Sequence, residues 1–76
     1  MNEKGYKPSR NTVISFAIAL GLNLEETNAL LLTVGFALSK SSKADIIISY
    51  FIENGIYDIL KINDALYEFD QPLLNA

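Results

Sequence analysis

The side chains best suited to chemistry in this chain are carboxylates. Asp58, Asp64, Glu68 and Asp70 gather late in the sequence, and Asp64 with Glu68 stands at i, i+4, the spacing that sets two carboxylates on one helix face. Such a pair could share a divalent cation or divide the roles of general acid and general base. A calcium or magnesium site, however, wants more oxygens at loop-like spacing, and a transition metal wants nitrogen or sulfur ligands. The chain has neither histidine nor cysteine. The commonest general base, the commonest zinc ligand and the usual near-neutral pH switch are thereby missing, as are disulfides and thiolate sites. No nucleophile elbow, phosphate-binding glycine loop or dinucleotide fingerprint is present. The acidic cluster is read as a solvated helix face. No catalytic, cofactor-binding or metal-ligating residue is assigned, and the expectation is a chain that is not an enzyme and carries no cofactor.

A second group of candidates lies at the other end. Lys4, Lys7 and Arg10 against Glu3 make the first ten residues net +2 and leave −5 for the rest. Lys4, Lys7, Ser9 and Arg10 are the candidate phosphate contacts, because a basic arm beside a helix N-terminus suits an anion. The same residues precede the apolar run 12–22 and so imitate a secretory signal, but Glu3 interrupts the positive region and no clear cleavage site follows. Over the whole chain 6 basic and 9 acidic residues give a net charge of −3, a field that argues against nucleic acid and anionic membranes as partners. No apolar run reaches the roughly 18 residues of a membrane span, and the absence of cysteine points to a reducing, cytoplasmic setting. Tyr57, Tyr67, Leu73 and Leu74 are the candidate partner surface. Leu73 and Leu74 follow Pro72 and either pack back to close the fold or form an apolar edge that docks a partner or a second copy.

The elements that must position these residues are helices. At 76 residues, half of them apolar, the chain is long enough for one domain with one core. Aligned on itself it shows an offset of 34 from Gly21 to Gly55, along which Ile14 falls on Ile48, Ser15 on Ser49, Phe16 on Tyr50 and Ile18 on Ile52. After one inserted residue the offset is 35, so that residues 27–31 lie over 62–66, with Thr27 on Ile62, Ala29 on Asp64 and Leu31 on Leu66. The expected fold is all-α, a single small bundle of four to five helices built from two pseudo-repeated helix-Gly-helix units. A basic arm is expected over residues 1–8 and the bundle over 9–76.

Capping chemistry places the helices at about 10–20, 24–34, 43–53 and 59–69. Ser9 opens the first and Gly21 ends it. Asn23 with Glu26, and Ser42 with Asp45, read as capping boxes for the second and third. Asp58 caps the fourth, which Gln71 and Pro72 stop. Ile59, Ile62, Leu66 and Phe69 form the apolar stripe of the fourth helix, and Thr27, Leu30, Leu31 and Val34 that of the second. Residues 46–52 are apolar on nearly every side and rich in strand-favouring types, so a buried strand is the alternative there.

Two resemblances follow from particular stretches. Residues 5–13, with Lys7-Pro8-Ser9, and residues 17–26, with Ala17, Ala19, Leu20 and Gly21, resemble the second half of XRE-type (repressor-like) helix-turn-helix domains. That resemblance implies that Lys7, Ser9 and Arg10 match a phosphate-touching loop. The scanning helix and nearly all of the recognition helix would precede Met1, so the base-reading part lies outside these residues. The longer run 6–74, with segments 39–43, 50–55, 62–66 and 69–74, is similar to the helical C-terminal tail of Firmicute macro-domain (ADP-ribose-1''-phosphate processing) proteins. It implies that the chain is an accessory module of a larger protein, without the ADP-ribose pocket. The expected function is a non-catalytic helical domain for protein interaction or regulation. Its partner would be the parent's N-terminal domain, another protein or a second copy. The alternative is a DNA-binding transcriptional regulator of the helix-turn-helix type, truncated here.

Overall fold

The first helix begins where Ser9 can cap it. The Ser9 side chain accepts from the Thr12 amide at 3.1 Å, and α1 runs Arg10–Ala19. In the computed structural model, which describes residues 8–74, three more helices follow: α2 (Leu24–Leu32), α3 (Lys43–Glu53) and α4 (Ile59–Glu68). The chain is all-α, and no strand is present among the described residues, so the isoleucine-rich stretch is helical. All four expected N-caps operate. At Asn23 the capping box is complete, with the Glu26 amide donating to Asn23 Oδ1 at 2.8 Å and the Asn23 amide donating to Glu26 Oε1 at 3.0 Å. At Ser42 only half of the expected box forms: the Asp45 amide donates to Ser42 Oγ, but the Asp45 carboxylate turns inward.

The helix ends share one geometry. Gly21, Gly35 and Gly55 have φ of 68°, 82° and 70°. In each case this residue's amide donates back to the carbonyl three residues earlier, and the next amide reaches the carbonyl five residues earlier. This is the double closure of a Schellman motif. The fourth end uses it without glycine. Asp70 takes φ 57°, its amide donates to the Tyr67 carbonyl at 3.1 Å, and the Gln71 amide donates to the Leu66 carbonyl at 2.8 Å. So α4 is stopped by a left-handed aspartate, one residue before the expected stop. The second helix is also shorter than expected. The Thr33 hydroxyl donates to the Leu30 carbonyl at 2.6 Å, and amides 33–35 each reach only three residues back, which tightens the last turn.

The core is aliphatic. Ile14, Ala17, Leu31, Ile62 and Leu66 are fully buried, joined by Val13, Ile18, Ile48, Ile52 and Leu74. Helix α1 packs on α2, α2 on α3 and α3 on α4. One member of the expected α4 stripe departs: Phe69, the C-cap residue, is 54% exposed, and its ring lies 6.0 Å from Lys43 Nζ in a cation–π contact. Leu30 and Val34 of the α2 stripe are half-buried and pack against the core. The C-terminal tail is pinned by Asn63. Its side-chain amide donates to the Leu74 carbonyl at 3.1 Å, and its oxygen accepts from the Leu74 amide at 2.7 Å. Among the described residues no helix is long and apolar enough to cross a membrane.

Candidate interaction grooves

Packing four short helices leaves open recesses between them, one bordered mostly by apolar side chains and others by a mixture of apolar and polar ones. One is an open groove of about 630 Å³ between α1 and the entrance to α4. Helix α1 contributes Thr12, Ser15, Phe16 and Ala19, and the chain entering α4 contributes Tyr57 and Ile59. Its geometry is held by Tyr57, whose hydroxyl donates to the Leu22 carbonyl at 2.8 Å and so ties the end of α1 to the start of α4. Phe16 lies at this groove with 59% of its surface open to water.

A second groove, of about 330 Å³, lies where α2, the following loop and α3 meet. Leu24 and Asn28 come from α2, Lys40 from the loop, and Ile46, Tyr50 and Glu53 from α3. The loop is fastened by the Leu38 amide, which donates to Asn28 Oδ1 at 3.0 Å. Tyr50, 58% exposed, stacks edge-on against Phe51 with ring centroids 5.7 Å apart.

A third cleft, of about 350 Å³, surrounds the most polar point of the interior. There Asp45, 2% exposed, forms an ion pair with the Arg10 guanidinium across 35 residues of chain. The same carboxylate oxygen accepts from the Ser39 amide at 2.7 Å, and Arg10 also donates to the Ala37 carbonyl at 3.0 Å. One ion pair thus joins the start of α1, the α2–α3 loop and the start of α3. A buried carboxylate needs this compensation, because removing it from water without a partner is expensive.

No family model, curated protein or solved structure matches the chain. What the grooves can do is therefore set by their own side chains.

The structure scatters the residues singled out from sequence. Lys4 and Lys7 lie outside the described residues, Ser9 is spent on the α1 cap, and Arg10 is held by Asp45 and Ala37. Tyr57 is half-buried and hydrogen-bonded, Leu74 is 4% exposed in the core, and only Tyr67 and Leu73 remain open, at 75% and 45%. Leu74 therefore takes the first of its two expected roles, closing the fold. Asp64 and Glu68 are exposed, and among the described residues no group of three or more acidic side chains is arranged to hold a metal. Sequence reasoning missed Phe16 and Tyr50 as open aromatics and Asp45 as a buried charge. The first two carried a usable signal, since they occupy one register of the internal alignment. Asp45 carried another, standing three and seven residues before Ile48 and Ile52 on the inward face of α3.

Proposed function

We propose that the chain is a non-catalytic accessory helical module for protein contacts or regulation. It would be the C-terminal part of a larger cytoplasmic macro-domain (ADP-ribose-1''-phosphate processing) family protein, built from two copies of one helix-Gly-helix unit on a repressor-like scaffold. The observation that carries this reading is the pair of open apolar grooves. Residues Ser15, Phe16 and Ala19 of the first stand 34 before Ser49, Tyr50 and Glu53 of the second, and Ile59 of the first stands 35 after Leu24 of the second. The same offsets relate the buried pairs Ile14 and Ile48, Ile18 and Ile52, Thr27 and Ile62, and Leu31 and Leu66. They also relate Gly21 to Gly55 and Gly35 to Asp70, the four left-handed helix ends. These matches support a duplicated unit whose two copies each leave an aromatic of the same register, Phe16 and Tyr50, on the outside.

An exposed apolar recess with a polar rim is the usual form of a surface that docks another protein. The groove at Tyr50 has such a rim, in Lys40, Glu53 and Asn28, and contacts between domains of one protein are more polar than permanent interfaces. We assign it to the parent's N-terminal domain. Titration of the isotope-labelled chain with a macro domain of that family tests this. Resonance shifts should gather on Leu24, Ile46 and Tyr50, and Tyr50→Glu should abolish them with the helical content unchanged. Shifts that are absent, or that fall on Asp64 and Glu68 instead, would overturn the assignment.

A further inference from the structure

Each half of the chain fastens the segment after its second helix with the same side chain. Asn28 on α2 and Asn63 on α4 stand 35 apart, the offset that relates the two units. Each accepts a hydrogen bond from the backbone amide of a leucine in the non-helical stretch that follows, Leu38 at 3.0 Å and Leu74 at 2.7 Å. The two stretches differ in how firmly they are held. In the first, Arg10 donates to the Ala37 carbonyl at 3.0 Å, the Ser39 amide donates to Asp45 at 2.7 Å, and the chain runs on into α3. In the second, among the described residues, the hydrogen bonds to the helices from beyond Gln71 are the two that Leu74 makes with Asn63. Pro72 and Leu73 are exposed, and Asp70, which joins the stretch to α4, holds a left-handed φ of 57° that costs a non-glycine residue energy. Leu74 is nonetheless buried, and every other member of the aliphatic core cluster stands on a helix.

We propose that the socket filled by Leu74 is a recognition site for an extended, leucine-bearing segment of a partner protein, with residues 71–74 as its built-in competitor. The occupant already seated there shows what the site accepts. Asn63 pairs with the N–H and the C=O of one residue, as a neighbouring strand does, and so reads extended backbone whatever its sequence. The apolar socket beside it takes one side chain. Main-chain bonds supplying affinity and a side-chain pocket supplying selectivity is a recurrent mode of peptide binding. Pro72 suits such a ligand, since it brings no amide that needs a partner and is restricted before it binds. Displacement also has a consequence inside the fold. Gln71, Pro72 and Leu74 border the cleft that holds Arg10 and Asp45, so removing them admits water to that ion pair and weakens its attraction. Binding at the socket is thereby coupled to the tie between α1 and α3. The site is separate from the groove at Tyr50 and stands whether or not that groove binds a macro domain.

Titration of the isotope-labelled full chain with a capped peptide of residues 69–76, to about 5 mM so that weak binding registers, tests the proposal. The chain carrying Leu74→Ser should keep its helical spectrum, because a segment that can leave is not what holds the helices together. Added peptide should then shift the Asn63 side-chain amide, Ile48 and Ile62 saturably. The unaltered chain should bind at least about tenfold more weakly, since its own segment competes at high effective concentration. Asn63→Ala in the Leu74→Ser chain should weaken binding about tenfold, and the peptide carrying Leu74→Ser should not bind. In the unaltered chain the Leu74 amide should exchange with solvent faster than the Leu66 amide, through local opening. Loss of the helical spectrum in Leu74→Ser, absence of peptide shifts in that chain, equal affinity for both chains, or exchange at Leu74 only with global unfolding would each overturn the proposal. A doubled mass in the unaltered chain that Leu74→Ser abolishes would give the socket to a second copy and overturn it too.

Discussion

Arg10 stands at the meeting point of two readings, a phosphate contact or an internal strut, and removing it separates them. Its guanidinium is 30% exposed, but its partner carboxylate on Asp45 is only 3% exposed. Arg10→Met keeps the alkyl stem and deletes the charge, leaving the buried Asp45 carboxyl without its ion-pair partner and with the Ser39 amide as its remaining donor. Loss of one member of a buried pair costs about 3–5 kcal/mol. The lower part of that range applies here, because the Ser39 bond survives. The reverse change is milder. In Asp45→Asn the amide oxygen can still accept from Ser39, and the freed guanidinium keeps the Ala37 carbonyl and its access to water, for a cost of about 1–3 kcal/mol. The double variant Arg10→Met/Asp45→Asn leaves no orphaned charge, so the two losses should fall short of additivity by about 2 kcal/mol. A chain of this length holds about 4–11 kcal/mol in total, so urea unfolding followed by far-ultraviolet circular dichroism resolves each step as a displaced midpoint. Arg10→Met costing less than about 1 kcal/mol, or additive single changes, would refute the strut. Arg10 would then be free for the phosphate role assigned to the basic arm.

Two other side chains predict opposite effects. Thr27 is fully buried on α2, and its hydroxyl is the one buried side-chain polar atom among the described residues without a partner. Thr27→Val, which fills the same space without the hydroxyl, should stabilise by about 1 kcal/mol; a melting temperature that stays level or falls would show that the hydroxyl is satisfied. Asn63→Ala should release the C-terminal tail, removing two hydrogen bonds and loosening the cover that Leu74 provides, at a cost of about 1–3 kcal/mol. Amide exchange at Leu74 reports this directly, and unchanged protection there would mean that apolar contact alone holds the tail.

What could be read in advance was local. Ser9, Asn23, Ser42 and Asp58 work as caps because a short polar side chain and the amides it satisfies lie within three residues of one another, so no knowledge of the fold is needed to pair them. The glycine ends are legible for the same reason, and the Asp70 end was missed because a left-handed aspartate is uncommon although its hydrogen bonds match the others. The long-range ties were out of reach. Arg10 to Asp45 and Tyr57 to Leu22 each span 35 residues, and either polar group had an equally sensible partner in water. The grooves were hidden for a further reason. A periodic stripe tells inside from outside only when the opposite face is polar, as it is on α4, where Ile62 and Leu66 are buried and Asp64 and Glu68 are not. On α1 and α3 apolar residues occupy both faces, so the pattern cannot say that Ile14 and Ile48 go in while Phe16 and Tyr50 stay out. The positions at which periodicity loses its power to assign a side are therefore those where apolar surface is left over after folding. In a chain without histidine or cysteine, that surplus is the feature most available for function.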